Sequence, residues 1–378
     1  MKVYLDNAAT TPIDPAVVEA MLPYLTDFFG NPSSTHSFGR TPKAAIEKVR
    51  KEIAQLFHCS TGEIVFTSGG TEADNMALFS AIVDSGVKRI ITSSIEHHAV
   101  SHTAELLAKR WNVNVDWVRV LPNGSIDLGH LRELLALDGK AIVSLMHANN
   151  EIGRLLPLKE VALLCKEYGA LLHSDTVQTV GHYHIDLQDI PVDFITCAAH
   201  KFHGPKGVGF LYVRKGTPFS PFITGGSQER DKRGGTENVA GIVGLGKALE
   251  LAYADLEAHQ QHITHMRSHF RNALIEAIPQ VAFNCAEDGL YTVLNVNFPH
   301  FPNSEMLLFQ LDLKGIACSG GSACSSGSSK GSHVLAAMEK KNDGPNVRFS
   351  FSKYTTVDEL NHVVEVLKEL VGAPVSAL

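Results

Sequence analysis

The chain has 378 residues, 44% of them hydrophobic, which is enough for sizeable apolar cores spread over about two domains. Its 33 basic and 40 acidic side chains are scattered and give a net charge of -7, so no basic face is offered to a nucleic acid. Six cysteines (Cys59, Cys165, Cys197, Cys285, Cys318, Cys324) form neither a CxxC pair nor a zinc-ligand spacing, and no apolar run reaches membrane-spanning length.

Met1 to Asn7 is a short strand-like run with no apolar signal region behind it, which together with the cysteine usage points to a soluble, cytoplasmic protein. Ile46, Val49, Ile53 and Leu56 recur at helical spacing and predict an amphipathic helix over 43–57, with Thr41-Pro42 as its start. Short runs rich in Val, Ile, Leu and Phe follow at Glu63 to Phe66, Arg89 to Thr92, Val113 to Trp117, Ala141 to Met146, Ala170 to His173, Phe194 to Ala198 and Val208 to Val213. Helical patterns such as His97 to Arg110 and Leu158 to Tyr168 separate them. This alternation predicts an α/β fold around a mainly parallel sheet. After about Ala240 the rhythm changes. A long helical stretch to Ile278 leads into candidates at Thr292 to Phe298, Ser304 to Leu313, Val347 to Phe351 and Val357 to Val371, read as a second, smaller α+β domain. The only low-complexity stretch is Ser319 to Ser332, almost wholly Ser and Gly around one cysteine.

Three places carry chemistry. Phe66-Thr67-Ser68-Gly69-Gly70-Thr71-Glu72 runs from a strand into a helix, whose first amides have no internal partner and can hold a phosphate; a plain capped turn reads equally well. Lys201 stands just past an apolar strand, before the turn Phe202-His203-Gly204-Pro205-Lys206-Gly207, where a lysine that bonds a carbonyl carbon would be placed. Asp175 ends another strand, with Gln178 three residues on, at the kind of strand end where open α/β sheets bind ligands. An amine and a carboxylate so placed suit a pyridoxal cofactor, but an exposed lysine and a capping aspartate are common too.

At this point the sequence resembles the cysteine desulfurases of the class V, fold-type I pyridoxal-phosphate family. The matching blocks run from Tyr4-Leu5-Asp6-Asn7-Ala8-Ala9-Thr10-Thr11-Pro12 to Arg348-Phe349-Ser350. Between them lie Phe29-Gly30-Asn31-Pro32-Ser33-Ser34, Glu96-His97-His98-Ala99-Val100, Asn149-Asn150-Glu151-Ile152-Gly153 and His200-Lys201-Phe202-His203-Gly204-Pro205-Lys206-Gly207. The resemblance implies a large domain over 14–255 that binds pyridoxal 5'-phosphate, and a small one from 1–13 and 256–378. It implies that Lys201 bonds the cofactor, Asp175 pairs with the ring nitrogen and Gln178 reaches the ring oxygen. Gly70, Thr71 and His200 would meet the phosphate, His97 would stack on the ring and share proton transfers, and Asn150 would lie beside it. Arg348, Asn31 and Asn150 would hold the substrate L-cysteine. Thr236, in Gly234-Gly235-Thr236-Glu237-Asn238, would reach the cofactor of a second copy, which implies a homodimer. Cys324, in Ser322-Ala323-Cys324-Ser325-Ser326, would take the sulfur as a persulfide and pass it to an iron-sulfur scaffold or a tRNA-thiolation protein. An aminotransferase or a selenocysteine lyase on the same fold is the alternative, and a non-catalytic protein keeping the fold a further one.

Two positions depart from the family. Ala198 replaces a Ser or Thr three residues before the lysine, removing one phosphate hydrogen bond worth about 1 kcal/mol. Cys318 stands where an apolar residue is common and reads as a small core residue. Nineteen histidines raise the question of metal. His182 and His184 alternate as on a strand, but with no third ligand near in sequence they read as solvated surface, and no metal is expected.

Overall fold

The computed structural model describes residues 1–299, 301, 304–321, 331–339 and 344–372. Its seven-stranded sheet runs, in spatial order, Ile64–Thr67, Gly209–Val213, Phe194–Ala198, Leu171–Asp175, Ala141–Ser144, Arg89–Ser93 and Asn114–Val118. Gly209–Val213 pairs antiparallel with both neighbours and every other pair is parallel, as the fold type requires. Most of these strands are buried along their whole length because helices cover both faces. The pleat sorts their side chains: Phe194, Leu211 and Val213 join one apolar layer, while Ile195, Cys197, Phe210 and Tyr212 join the other. Helices Gly70–Val83 and His98–Trp111 close the first layer; Ser37–Leu56, Leu158–Glu167 and Val239–Ala254 close the second. Asn114–Val118 is one edge of the sheet, and its residues are largely accessible.

A three-stranded antiparallel sheet, Asn346–Ser350, Val293–Asn297 and Ala282–Phe283, forms a second core with helices Leu256–Ala277 and Val357–Gly372. Phe270 sits edge-on to Phe349 and Phe351, with ring centroids 5.0 and 5.9 Å away. The N-terminal Val3–Tyr4 pairs parallel with Ile316–Ala317 and packs Val3 and Leu5 into this second core. The chain then crosses to the large sheet, where the Thr11 amide donates to the His200 carbonyl at 2.9 Å. One segment thus ties both cores together beside Lys201.

Three expectations change. The helix expected over 43–57 begins at Ser37, so Pro42 lies inside it; there the ring costs only the one bond its N–H would have made to Phe38. The helical stretch before Ile278 breaks at Asp255 (φ -120°, ψ 28°) into Val239–Ala254 and Leu256–Ala277. His182 and His184 are not on a strand. His182 lies in a turn, half-buried, with Nδ1 3.1 Å from the Tyr291 hydroxyl and Nε2 3.4 Å from the Lys201 carbonyl, and burial pushes its pKa down to about 4. The surface reading fails for His182 because Tyr291 and the Lys201 turn close over it; His184 alone is exposed.

Among the described residues, no helix is long and apolar enough to cross a membrane.

Candidate active site

Lys201 follows strand Phe194–Ala198 through the single turn Ala199–Lys201, and its Nζ donates to the Ala8 and Ala9 carbonyls at 2.6 and 2.9 Å. Those two alanines belong to the segment that ties the cores together, so the lysine is held where the two cores meet. A cavity opens there. It is lined by Gly70, Thr71, His97, Asn150, Asp175, Gln178, His200, Lys201 and Arg348 of the residues singled out in the sequence.

Asp175, the last residue of strand Leu171–Asp175, is buried and accepts from the Val177 amide at 2.9 Å. Burial, then the nearby Asp74 carboxylate, raises its pKa to about 6, while His97 pulls it back. His97 caps helix His98–Trp111: its Nδ1 accepts from the Ala99 amide at 3.1 Å, which leaves Nε2 to carry the proton of the neutral ring. Burial lowers the His97 pKa and the Asp175 charge opposes that. A cationic group arriving beside Asp175 would restore its ionised form, since an opposite charge offsets desolvation.

Helix Gly70–Val83 turns its first residues, Gly70 and Thr71, to the cavity, and the first amides of a helix have no partner within it. An anionic group fits there. A Cβ on Gly70 would stand 2.8 Å from Val177 Cγ2, so only glycine lets this turn pack against the loop after Asp175. The His200 Nδ1 lies 3.1 Å from the Thr10 hydroxyl, and burial holds its pKa down at about 4. Gln178 donates to the Ala8 carbonyl at 3.1 Å.

Across the cavity, Arg348 is 1% exposed; its guanidinium donates to the Asn150 carbonyl at 2.9 Å and to Asp6 Oδ1 at 2.8 Å. Its Nε is buried with no partner among the described residues, which suits a carboxylate ligand. An electron-poor ring with a phosphate and a basic ring nitrogen therefore fits this donor set: phosphate at Gly70, ring nitrogen at Asp175, carbonyl carbon at Lys201.

Two of the expected residues are not in the cavity. Thr236 is exposed and lines a separate hollow with Phe66, Gly207 and Asn238. Asn31 is exposed, and its side-chain oxygen accepts from the Ser33 amide at 2.9 Å in a tight turn. Cys324 lies outside the described residues. Cys318 packs against the second core, and burial pushes its thiol up to about 12, so it stays protonated.

The cavity also holds residues that the sequence did not single out. Asp74 sits one helical turn beyond Gly70, 1% exposed, with Oδ1 3.2 Å from His173 Nε2. Burial drives the two in opposite directions, Asp74 up to about 7 and His173 down to about 4, which disfavours an ion pair between them. Its signal was an aspartate at i+4 from Gly70 on an otherwise apolar helix face. Ala8 and Ala9 contribute backbone carbonyls, which leave no mark in side-chain chemistry. Behind Lys201 a second cavity is lined by Asn7, His182, His203, His259 and Lys353.

Comparison with known proteins bears on this geometry. A family model described as aminotransferase class-V matches residues 3–363. A cysteine desulfurase IscS of Dictyoglomus turgidum is 43% identical over 375 residues, 98% of this chain and 94% of that protein. A solved NifS-like protein superposes with a TM-score of 0.91 at 35% identity, covering 98% of this chain and 100% of the other. The structure of SspA in complex with cysteine superposes with a TM-score of 0.78 at 30% identity, covering 94% and 100%. With the match spanning nearly its whole length and the cavity at the junction of two cores, the chain belongs to the aminotransferase class-V family.

Proposed function

We infer that this chain is a pyridoxal 5'-phosphate-dependent cysteine desulfurase, which takes sulfur from L-cysteine, leaves L-alanine and carries the sulfur as a persulfide on Cys324. The observation that carries the reading is the convergence of Lys201, Asp175, Arg348 and the Gly70 helix start on one cavity, in a chain whose relatives bear that activity in their names. When bound, the cofactor supplies an electron sink for negative charge at the substrate Cα.

This chain's own residues do the rest. With the cofactor bound, Gly70, Thr71 and His200 would hold the phosphate, Asp175 would keep the ring nitrogen protonated, and Gln178 and Asn150 would meet the ring. Arg348 presents its unpartnered Nε to the substrate carboxylate, a task in which Asn31 joins. The Lys201 amine would be the base for the Cα proton, and the Ala8 and Ala9 carbonyls hold its Nζ at the cavity. His97, neutral at physiological pH because burial lowers its pKa, offers Nε2 for a second proton transfer. Cys324 would attack the substrate sulfur as a thiolate: an S–S bond forms, the S–Cβ bond breaks, and its electron pair stays on Cβ, which takes up a proton to become the methyl group of alanine.

The active unit is a homodimer in which Thr236 serves the second copy's cofactor; its exposure away from its own cavity supports that reading. The sulfur then passes to an acceptor protein, an iron-sulfur scaffold or a tRNA-thiolation protein. A large domain over 14–255 and a small one from 1–13 and 256–378 agree with the two separate apolar cores.

Incubation with L-cysteine and a reducing thiol, without a keto acid, tests the function. Alanine and sulfide should appear in equal amounts. A strict need for a keto acid would make the protein an aminotransferase instead.

A further inference from the structure

Residues 8–11 hold His200 and Lys201 from one side. The Ala8 and Ala9 carbonyls accept from Lys201 Nζ, and the Thr11 amide and hydroxyl both donate to the His200 carbonyl, at 2.9 and 3.0 Å. Thr10 reaches the ring itself, its hydroxyl oxygen 3.1 Å from His200 Nδ1. The other ring nitrogen, Nε2, makes no hydrogen bond among the described residues, and His200 lines the cavity while Thr10 stands behind it.

Burial lowers the His200 pKa to about 4, so at physiological pH its two nitrogens share one proton, one donating and the other accepting. A phosphate oxygen accepts. It is therefore attracted by Nε2 only when Nε2 carries the proton, and a lone pair there would repel it. Nδ1 must then be the acceptor, and it needs a neighbour able to donate. A hydroxyl is such a neighbour. His203, three residues on, shows the opposite case: its Nδ1 lies 2.9 Å from the Pro12 carbonyl, which can only accept, so the proton of that ring sits on Nδ1. The N-terminal segment thus offers a carbonyl to one histidine and a hydroxyl to the other.

We propose that Thr10 is a positioning residue: its hydroxyl donates to His200 Nδ1 and so keeps the ring's proton on Nε2, the nitrogen left for the cofactor phosphate. This rests on the cofactor reading above. The hydroxyl is separable from the rest of its segment, because Tyr4 Oη donates to the Thr10 carbonyl at 2.8 Å and the Thr10 amide donates to the Asp6 carbonyl at 3.4 Å. Replacing the hydroxyl by a methyl group leaves these bonds, and those from Lys201 to Ala8 and Ala9, in place.

The test strips the cofactor and titrates in either pyridoxal 5'-phosphate or pyridoxal, which has the ring but no phosphate, following the visible absorbance. Thr10→Val should weaken the phosphorylated form about two- to tenfold, the range of one neutral hydrogen bond, while pyridoxal binds as it does to the parent. Thr10→Ser, which keeps the hydroxyl, should stay within about twofold of the parent for both. In a His200→Ala background Thr10→Val should cost nothing further, since Thr10 acts only through the ring. Nitrogen NMR of the cofactor-loaded parent should place the proton of His200 on Nε2 and that of His203 on Nδ1. Parent-like affinity in Thr10→Val, an equal loss for both ligands, a further loss in the His200→Ala background, or a proton found on His200 Nδ1 would each overturn the proposal. If the parent takes up neither ligand, the cofactor reading fails first and the proposal falls with it.

Discussion

Restoring the missing hydroxyl by Ala198→Ser tests how the phosphate is held. Ala198 ends strand Phe194–Ala198, lines the cavity and is 2% exposed; its Cβ lies 3.7 Å from where a Cβ on Gly70 would stand. A serine oxygen there adjoins the helix start that would hold the phosphate. A hydrogen bond to a charged group contributes about 1.5 to 3 kcal/mol, and a neutral one about 0.5 to 1.5. Because Ala198 is closed to solvent while Thr71 is exposed, the new bond should lie toward the strong end, tightening cofactor affinity about tenfold or more. The assay strips the cofactor from both proteins and titrates it back at matched salt and pH. Unchanged or weaker binding by the serine variant would refute the reasoning, and weaker binding would mean that Gly70 packs too closely to admit an oxygen.

Lys201→Ala should abolish both turnover and the visible absorbance of the lysine-bound cofactor, read by spectrum and by alanine formation. Cys324→Ser should keep that absorbance and its response to cysteine yet form no persulfide, because a hydroxyl is a far poorer nucleophile than a thiolate at neutral pH. Glu96 gives a pH effect: it is 1% exposed, accepts from Ser93 Oγ and the Met146 amide at 2.7 and 2.9 Å, and burial raises its pKa from 4.5 to about 8. The folded chain then keeps a proton that the unfolded chain releases near 4.5, so stability falls as pH rises from about 4.5 to about 8. In Glu96→Gln that slope should flatten, measured by denaturant unfolding of the cofactor-free protein across this range.

The strands of the large sheet were legible because each is a short apolar run buried on both faces, and Phe194 to Ala198 was placed to the residue. Helix Pro15–Thr26 was missed although Asp14 caps it, its Oδ1 accepting from Ala16 at 3.0 Å, and Pro15 starts it. The break at Asp255 could not be read because apolar spacing continues across it. Within the site, Lys201 and Asp175 were legible from their places at strand ends and His97 and Arg348 only through the family resemblance, and all four line one cavity. What escaped depends on contacts distant in sequence. The Ala8 and Ala9 carbonyls act through the backbone, and Asp74 is distinguished only by its burial against His173.

The central claim is sulfur transfer from L-cysteine to Cys324. Its most direct measurement is one turnover of the cofactor-loaded protein with L-cysteine, quantifying alanine and locating the added sulfur by peptide mass mapping. The account predicts one alanine for each persulfide, with the extra sulfur on the peptide that holds Cys324. Alanine without any sulfur on Cys324, or sulfur found on Cys318, Cys285 or another thiol instead, would contradict it.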